Sequence, residues 1–359
     1  MKLTLRNRRA FVYQPVGAAA RRPGDICMQV LVTGAAGFIG AALALRLVER
    51  GDSVTGLDNL NDYYAVSLKR DRLARVKQAG GAGFSFALCD FADEQAVDAA
   101  LRGNHFDAII HLGAQAGVRY SIENPRAYAQ SNLIGHLNML ELARHRKVGH
   151  MVYASSSSVY GANSSMPFSV EDRVDHPLSL YAATKKADEL MSESYAHLYR
   201  LPLTGLRFFT VYGPWGRPDM MLWKFTRAIL GGDTVPIFNG GDMYRDFTYI
   251  DDIISGIVAC LDNPPADDGT AKPGGSMKPH AIYNIGNNRS EHLMRVVELL
   301  EDACGRKANR EFLPMQAGDV PKTFADIGAI SDNLGYRPAV SIEQGVPEFV
   351  RWYRDYHGV

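Results

Sequence analysis

Residues 29–40 read QVLVTGAAGFIG, a short β-branched run followed by glycines at positions 34, 37 and 40. The next stretch, 41–50, reads AALALRLVER and spaces its apolar residues as a helix does. A strand, a glycine-rich turn and a helix in that order bring backbone close to a pyrophosphate, whose charge then rests on the helix's first N–H groups. A glycine triplet alone also fits any tight strand-to-helix turn. Here Asp58 stands eighteen residues after Gly40, at the end of the next apolar run, and the two signals together indicate a dinucleotide site. Asp58 is suited to accept hydrogen bonds from adenosine ribose hydroxyls and to repel a 2′-phosphate, which selects NAD over NADP.

Working outward, further short apolar runs occur at Phe84–Leu88, Asp107–His111, Met151–Ala154 and Leu203–Arg207, separated by longer helical patterns. Such alternation predicts an α/β fold of Rossmann type, a doubly wound parallel sheet covered on both faces. Past Phe209 the chain turns rich in Trp, Pro and Gly, as suits loops around a ligand, so a smaller C-terminal substrate-binding lobe is expected there. The stretch 264–280 has the Pro, Gly and Asp content of a surface loop, and Ala281–Gly286 reads as one more strand of the sheet. The expected division is therefore interleaved: 28–209 with 247–263 and 281–286 in the NAD-binding domain, and 210–246 with 287–359 in the substrate lobe. The remaining expected cofactor contacts are Ala36, Phe38 and Ile39 in the glycine turn and Asn59 beside Asp58. Asp90 and Phe91 follow the third strand near the adenine, Leu112, Gly113 and Ala114 follow the fourth, and Phe208 ends the sixth.

Lys plus Arg and Asp plus Glu both total 39, so the formal net charge is zero and no long-range field favours nucleic acid or an anionic membrane as a partner. Cys27, Cys89, Cys260 and Cys304 are scattered without metal-like spacing, which suits reduced thiols in a cytoplasmic protein. No apolar stretch approaches the roughly 18 residues that span a bilayer. Residues 1–27 are Arg-rich and lack an uninterrupted apolar core, so a secretory signal is not expected; Met28, which opens the first strand directly, is read as the start, with the extension disordered or misassigned.

Two further stretches carry chemistry. Residues 179–186 read SLYAATKK, placing Tyr181 and Lys185 four apart on one helical face. Beside a dinucleotide site, the ammonium and the positive nicotinamide ring favour the phenolate, so Tyr181 becomes a general base able to take a hydroxyl proton. Residues 155–161 read SSSSVYG, four hydroxyls without an acid at the end of an apolar run. Such a run can cap a strand end, and it can also donate hydrogen bonds to a carboxylate without like-charge repulsion.

TGAAGFIG, SSSSVYG and YAATK together resemble the extended short-chain dehydrogenase/reductase family, within it the nucleotide-sugar epimerases and dehydratases, and the resemblance runs from Met28 nearly to the end. RFFTVYGPWGRPDM at 207–220, RDFTYIDD at 245–252 and PMQAGDVPKTFADI at 314–327 look like its UDP-glucuronate 4-epimerase branch. The resemblance implies that Ser156 orients the sugar 4-hydroxyl, Tyr181 takes its proton, and Lys185 holds Tyr181 and the nicotinamide ribose. Where sugar-nucleotide dehydratases carry Asp and Glu, this chain has Ser157 and Ser158; UDP-pentose-forming relatives carry Glu at the Ser158 position. Thr210 stands where galactose-type epimerases carry Asn, so Ser157, Ser158 and Thr210 are expected to hold a substrate carboxylate. Arg245 resembles the diphosphate-binding Arg, and Asp319 the acid on the uridine ribose. Gln316 stands where many relatives carry Arg, Ala317 where Pro is usual, and Gly113 where Ala is favoured. Arg217 is the cation near the carboxylate or the diphosphate, and Arg119 faces sugar or diphosphate or else pairs with Glu123. The implied activity is reversible 4-epimerisation of UDP-glucuronate through a 4-keto intermediate, without decarboxylation or metal, by a homodimer that keeps its NAD tightly bound. The alternatives are a UDP-glucose/UDP-galactose epimerase, a UDP-glucuronate decarboxylase and a non-catalytic NAD-sensing regulator.

Overall fold

The structure, a computed structural model, describes residues 27–316 and 319–359. The reading of the extension falls, Cys27 apart, outside the described residues, as does that of Ala317. From the first strand the chain alternates β1 (Gln29–Thr33), α1 (Phe38–Arg50), β2 (Ser53–Asp58), α2 (Val66–Gly80), β3 (Phe84–Leu88), α3 (Glu94–Ala100) and β4 (Ala108–His111). Helices α4 (Tyr120–Glu123), α5 (Pro125–Tyr128) and α6 (Gly135–His145) follow, the last two joined by a π-helical segment at Ala129–Ile134. Then come β5 (His150–Ser156), α7 (Leu180–Tyr199) and β6 (Leu203–Phe208). Smaller elements succeed them: β7 (Thr210–Tyr212), α8 (Met221–Gly231), β8 (Thr234–Phe238), β9 (Tyr244–Arg245), β10 (Phe247–Tyr249) and α9 (Ile250–Leu261). The chain closes with β11 (His280–Ile285), β12 (Glu291–His292), α10 (Leu293–Cys304), β13 (Asn309–Leu313), α11 (Gly328–Leu334) and α12 (Ile342–His357).

Seven strands form one sheet in the order β11-β6-β5-β4-β1-β2-β3, every pairing parallel. The α/β expectation holds, and the run after the 264–280 loop does return, pairing His280 to Ile285 with Leu203 to Phe208. Successive β1 residues serve opposite faces: Val30 and Val32 enter one apolar cluster with Leu43 and Leu47 of α1, while Leu31 joins Ile109, Met151 and Met139 of α6 in the other. Burial on both faces explains why these strands read as continuous apolar runs rather than alternating ones. Among the described residues no helix is long and apolar enough to cross a membrane.

The parallel register brings the carboxyl ends of β1, β4, β5 and β6 to one edge, with Thr33 opposite His111 and Ser156 opposite Phe208. Helix α7 docks against this edge through a buried ion pair. Glu189 of α7 accepts from Arg207 of β6 at both oxygens, Nε–Oε1 2.9 Å and Nη2–Oε2 3.0 Å, and Ser155 Oγ of β5 donates to Oε1 at 2.7 Å. Burial alone would push the Glu189 carboxyl up, but Arg207 outweighs it and the net shift is downward. Glu189→Gln leaves Arg207 buried without its counter-charge, and a stability loss of about 3 kcal/mol or more is expected from denaturant unfolding at neutral pH. Because the folded carboxyl titrates below its ordinary value of 4.5, the wild type's advantage is full above that pH and shrinks as pH falls through it. A difference between the two proteins that does not depend on pH would refute this account.

Candidate active site

The glycine turn after β1 is as tight as its residues permit. Gly34 adopts φ +68°, and a Cβ there would stand 2.8 Å from the Gly113 nitrogen; one at Gly40 would stand 2.1 Å from the Gly34 carbonyl. Gly37 begins α1, with Ala41 N–H donating to its carbonyl at 3.1 Å. The cradle, open to backbone approach and lined by helix N–H groups, fits a dinucleotide pyrophosphate. At the end of β2, Asp58 accepts from Ala36 N–H at 3.1 Å and from Leu60 N–H at 2.8 Å, so its carboxylate is fixed beside the turn.

A single cleft of about 770 Å³ runs from this turn across the sheet edge, a size typical of a site for a small-molecule ligand. Of the expected cofactor contacts, Gly34, Gly37, Phe38, Ile39, Gly40, Asp58, Asn59, Phe91, Leu112, Gly113, Ala114 and Phe208 line it. Two do not. Ala36 is fully buried beneath the turn, and Asp90 is exposed behind Asn59, whose amide donates to it at 3.1 Å, while its other oxygen caps Ala92 N–H at 2.9 Å.

Ser156, Ser157, Ser158, Tyr181 and Lys185 line the same cleft. Ser179 caps α7, accepting from Ala182 N–H at 3.1 Å, which sets Tyr181 in the first turn and Lys185 one turn on. The Lys185 ammonium is buried and donates to the Ala154 carbonyl at 2.9 Å and to Asp188 Oδ2 at 3.0 Å. Burial pushes the Asp188 carboxyl up to about 6, against the pull of that ammonium. The serine run divides: Ser155 turns to Glu189, whereas Ser156 begins a 3-10 turn at Ser157–Tyr160, with its hydroxyl 2.9 Å from that of Ser158.

Across the cleft stand Thr210, Arg217, Arg245, Asp319 and Arg119. Arg217 forms a half-buried fork with Asp219, Nε–Oδ1 3.0 Å and Nη2–Oδ2 2.5 Å, and Tyr63 donates to the same carboxylate at 3.3 Å. Burial and then Asp219 push Tyr63 up, so it stands as a neutral donor. Arg119 pairs with Asp319 at 3.0 Å, 200 residues away, and not with Glu123. Arg245 donates to the Tyr244 and Pro321 carbonyls at 2.9 and 3.2 Å. Gln316 stands outside the cleft lining, its Oε1 buried with no hydrogen-bond partner among the described residues.

Several lining residues escaped the sequence reading, among them Tyr63, Lys69, Asp219 and Lys224. Lys69 had a signal: on α2 it falls in the buried set Leu68, Lys69, Arg72, Leu73 and Val76, where a cation needs an internal partner, and its ammonium donates to Asn61 Oδ1 at 2.7 Å. The departure at Gly113 has a local cause as well. A Cβ there would stand 2.5 Å from Cε1 of Phe91, whose ring also fills the space a Cβ at Gly135 would need, 2.3 Å from Cε2. Gly113→Ala is therefore expected to displace the Phe91 ring at a cost of roughly 1–3 kcal/mol, read as a lowered unfolding midpoint together with loss of bound dinucleotide; an unchanged midpoint would show that Phe91 moves freely.

Comparison with known proteins gives the geometry its context. The chain is 48% identical over 332 residues to a protein of Rhizobium meliloti named probable UDP-glucuronate 4-epimerase, covering 91% of this chain and 97% of that one. It is 45% identical over 346 residues to UDP-glucuronate 4-epimerase 1 of Arabidopsis thaliana, covering 95% and 80%. Among solved structures, UDP-glucuronic acid 4-epimerase from Bacillus cereus, in complex with UDP-glucuronic acid and NAD, superposes with a TM-score of 0.81 at 31% identity, over 92% of this chain and 100% of that one. Residues 30–286 match the family described as NAD dependent epimerase/dehydratase, and the chain belongs to that family.

Proposed function

We propose that the protein is an NAD-dependent isomerase that interconverts UDP-glucuronate and UDP-galacturonate at C4. One observation carries the reading: Tyr181, the acid-free hydroxyls of Ser156, Ser157 and Ser158, and Thr210 all line the cleft that begins at the glycine turn. The relatives named for the same activity support it. Bound against the turn, NAD supplies a two-electron acceptor for C4 that is regenerated within each turnover. Ser156 orients the 4-hydroxyl, and Tyr181 takes its proton and later returns it to the same oxygen. Lys185 holds its ammonium beneath the site, on the Ala154 carbonyl and Asp188, one helical turn on from Tyr181. The 4-keto sugar turns within the cleft and is reduced on its other face.

A 4-keto uronate is a β-keto acid. It loses carbon dioxide when the bond from C5 to the carboxylate lies parallel to the ketone π system, so holding that carboxylate is part of the chemistry. Ser157, Ser158 and Thr210 fill this role, and Arg217 serves the carboxylate or the diphosphate. Arg245 and Arg119 face the diphosphate end, Asp319 the uridine ribose, with Gln316 behind them. Asp58 and Asn59 take the adenosine ribose. In this reading residues 28–209, 247–263 and 281–286 form the cofactor domain, and 210–246 with 287–359 the substrate lobe. The protein works in the cytoplasm as a homodimer through α6 and α7, whose Leu137, Leu190 and Leu198 are exposed; a monomer in sedimentation at micromolar concentration would remove that assembly.

Incubation of the purified protein with UDP-glucuronate and no added NAD, followed by proton NMR, should show UDP-galacturonate without carbon dioxide. In the same assay Ser157→Glu is expected to weaken uronate binding by repulsion and to shift the remaining turnover toward a UDP-pentose. Activity on UDP-glucose alone, or an unchanged product ratio in the variant, would sink the uronate reading.

A further inference from the structure

Arg72 of α2 is fully buried, and among the described residues no carboxylate pairs with its guanidinium. Its partners are carbonyls from two distant turns and one phenol. Nε and Nη2 donate to the Trp215 carbonyl at 3.0 and 2.6 Å, and Nη2 also to the Gly216 carbonyl at 2.8 Å. Nη1 reaches the Ala36 carbonyl in the glycine turn at 3.2 Å and Tyr64 Oη at 2.7 Å. A charge buried without a counter-charge is costly, so stability alone does not account for a cation at this position.

What it holds is itself strained. Trp215 adopts φ +65°, a left-handed conformation that a bulky side chain takes only when its surroundings impose it. Arg72 grips its carbonyl, while Arg75 lies 4.6 Å over the indole and Trp352 packs at 5.4 Å. Two residues on is Arg217, whose fork with Asp219 faces the cleft. We propose that Arg72 is a positioning residue: by clamping Trp215 in the left-handed region and tying that turn to the dinucleotide turn, it sets the place of the Arg217 guanidinium in the substrate cleft. Without the clamp, Trp215 relaxes to negative φ, the following peptides rotate, and Arg217 leaves its place. The inference rests on the reading that Arg217 meets the UDP-uronate.

The test is a double-mutant cycle on the full chain, at saturating NAD, with UDP-glucuronate affinity measured by calorimetry and KM and kcat measured alongside. Arg217→Met should weaken binding roughly tenfold to a hundredfold, as loss of a charge-assisted hydrogen bond does. Arg72→Met should do the same, raising KM more than it lowers kcat, and the double variant should be no worse than Arg217→Met. Should Arg72→Met fail to fold, Arg72→Lys keeps the buried charge, loses the fork and takes its place in the cycle. Trp215→Gly added to the Arg72 variant should recover part of the affinity, because glycine holds positive φ unaided. Additive losses in the double variant, unchanged affinity in either single variant, or no recovery with glycine would overturn the proposal. Because affinity is read directly, a wild type that binds UDP-glucuronate but forms no UDP-galacturonate would defeat the functional reading and leave this test intact.

Discussion

The buried pair between Glu189 and Arg207 holds together the three elements that make the site. Arg207 belongs to β6, Glu189 to α7, and Ser155, which shares the carboxylate, to β5. The next residue on each strand lines the cleft: Ser156 after Ser155, and Phe208 after Arg207, the two facing each other in register. Adjacent residues of a strand point to opposite faces. One residue of each strand is therefore spent on fixing α7, and its neighbour is delivered to the cleft. Glu189 lies one turn beyond Lys185, so the same contact fixes the helical phase of Lys185 and Tyr181.

Much of this was legible in the sequence where the signal was local. Strands β1 and β3 carry the boundaries their apolar runs suggest; β1 lies inside the sheet with both faces buried and is apolar along most of its length, whereas β3, at the sheet edge, sets Phe84 and Phe86 on either side of an exposed Ser85. The glycine turn was legible because only glycine fits where the Gly34 carbonyl and the Gly113 backbone press in. Long-range partners were not legible. Arg119 had an acid four residues on, yet it pairs with Asp319, since the two turns meet only once the sheet has formed. Arg72 reads as an ordinary cation of a polar helix, and its burial depends on a turn 143 residues away. Asp90 sits at a strand end, as a ligand-binding acid would, but its oxygens are used by Ala92 N–H and Asn59.

Three of the cations around the cleft already hold carboxylates before any ligand enters. Arg217 has Asp219, Arg119 has Asp319, and Lys185 has Asp188. The three differ in how firmly they are held. Arg119 is half exposed, so its pair contributes at most about 1 kcal/mol and yields easily to an anionic ligand. Lys185 and Asp188 are almost wholly enclosed, and removing one partner would leave the other stranded. An anion arriving at that end of the cleft therefore meets an arginine that is easy to recruit, while the charge beneath Tyr181 stays where it is.

This gradient bears on why hydroxyls and not a cation are suited to the uronate. An arginine has several rotatable bonds, and fixing its head against a carboxylate costs more side-chain entropy than fixing a serine. The angle between the carboxylate bond and the 4-ketone decides between reduction and loss of carbon dioxide, so the groups that set it must have little freedom. Ser157 and Ser158 lie in a 3-10 turn anchored at one end by Ser156 and held near the other by Tyr160, which is buried and donates to Asn284 at 2.7 Å. Short side chains on a backbone fixed at both ends carry the rigidity of the sheet edge into the cleft. Arg217, held by Asp219, adds charge to the cleft, and in the proposed mechanism the angle is left to the serines.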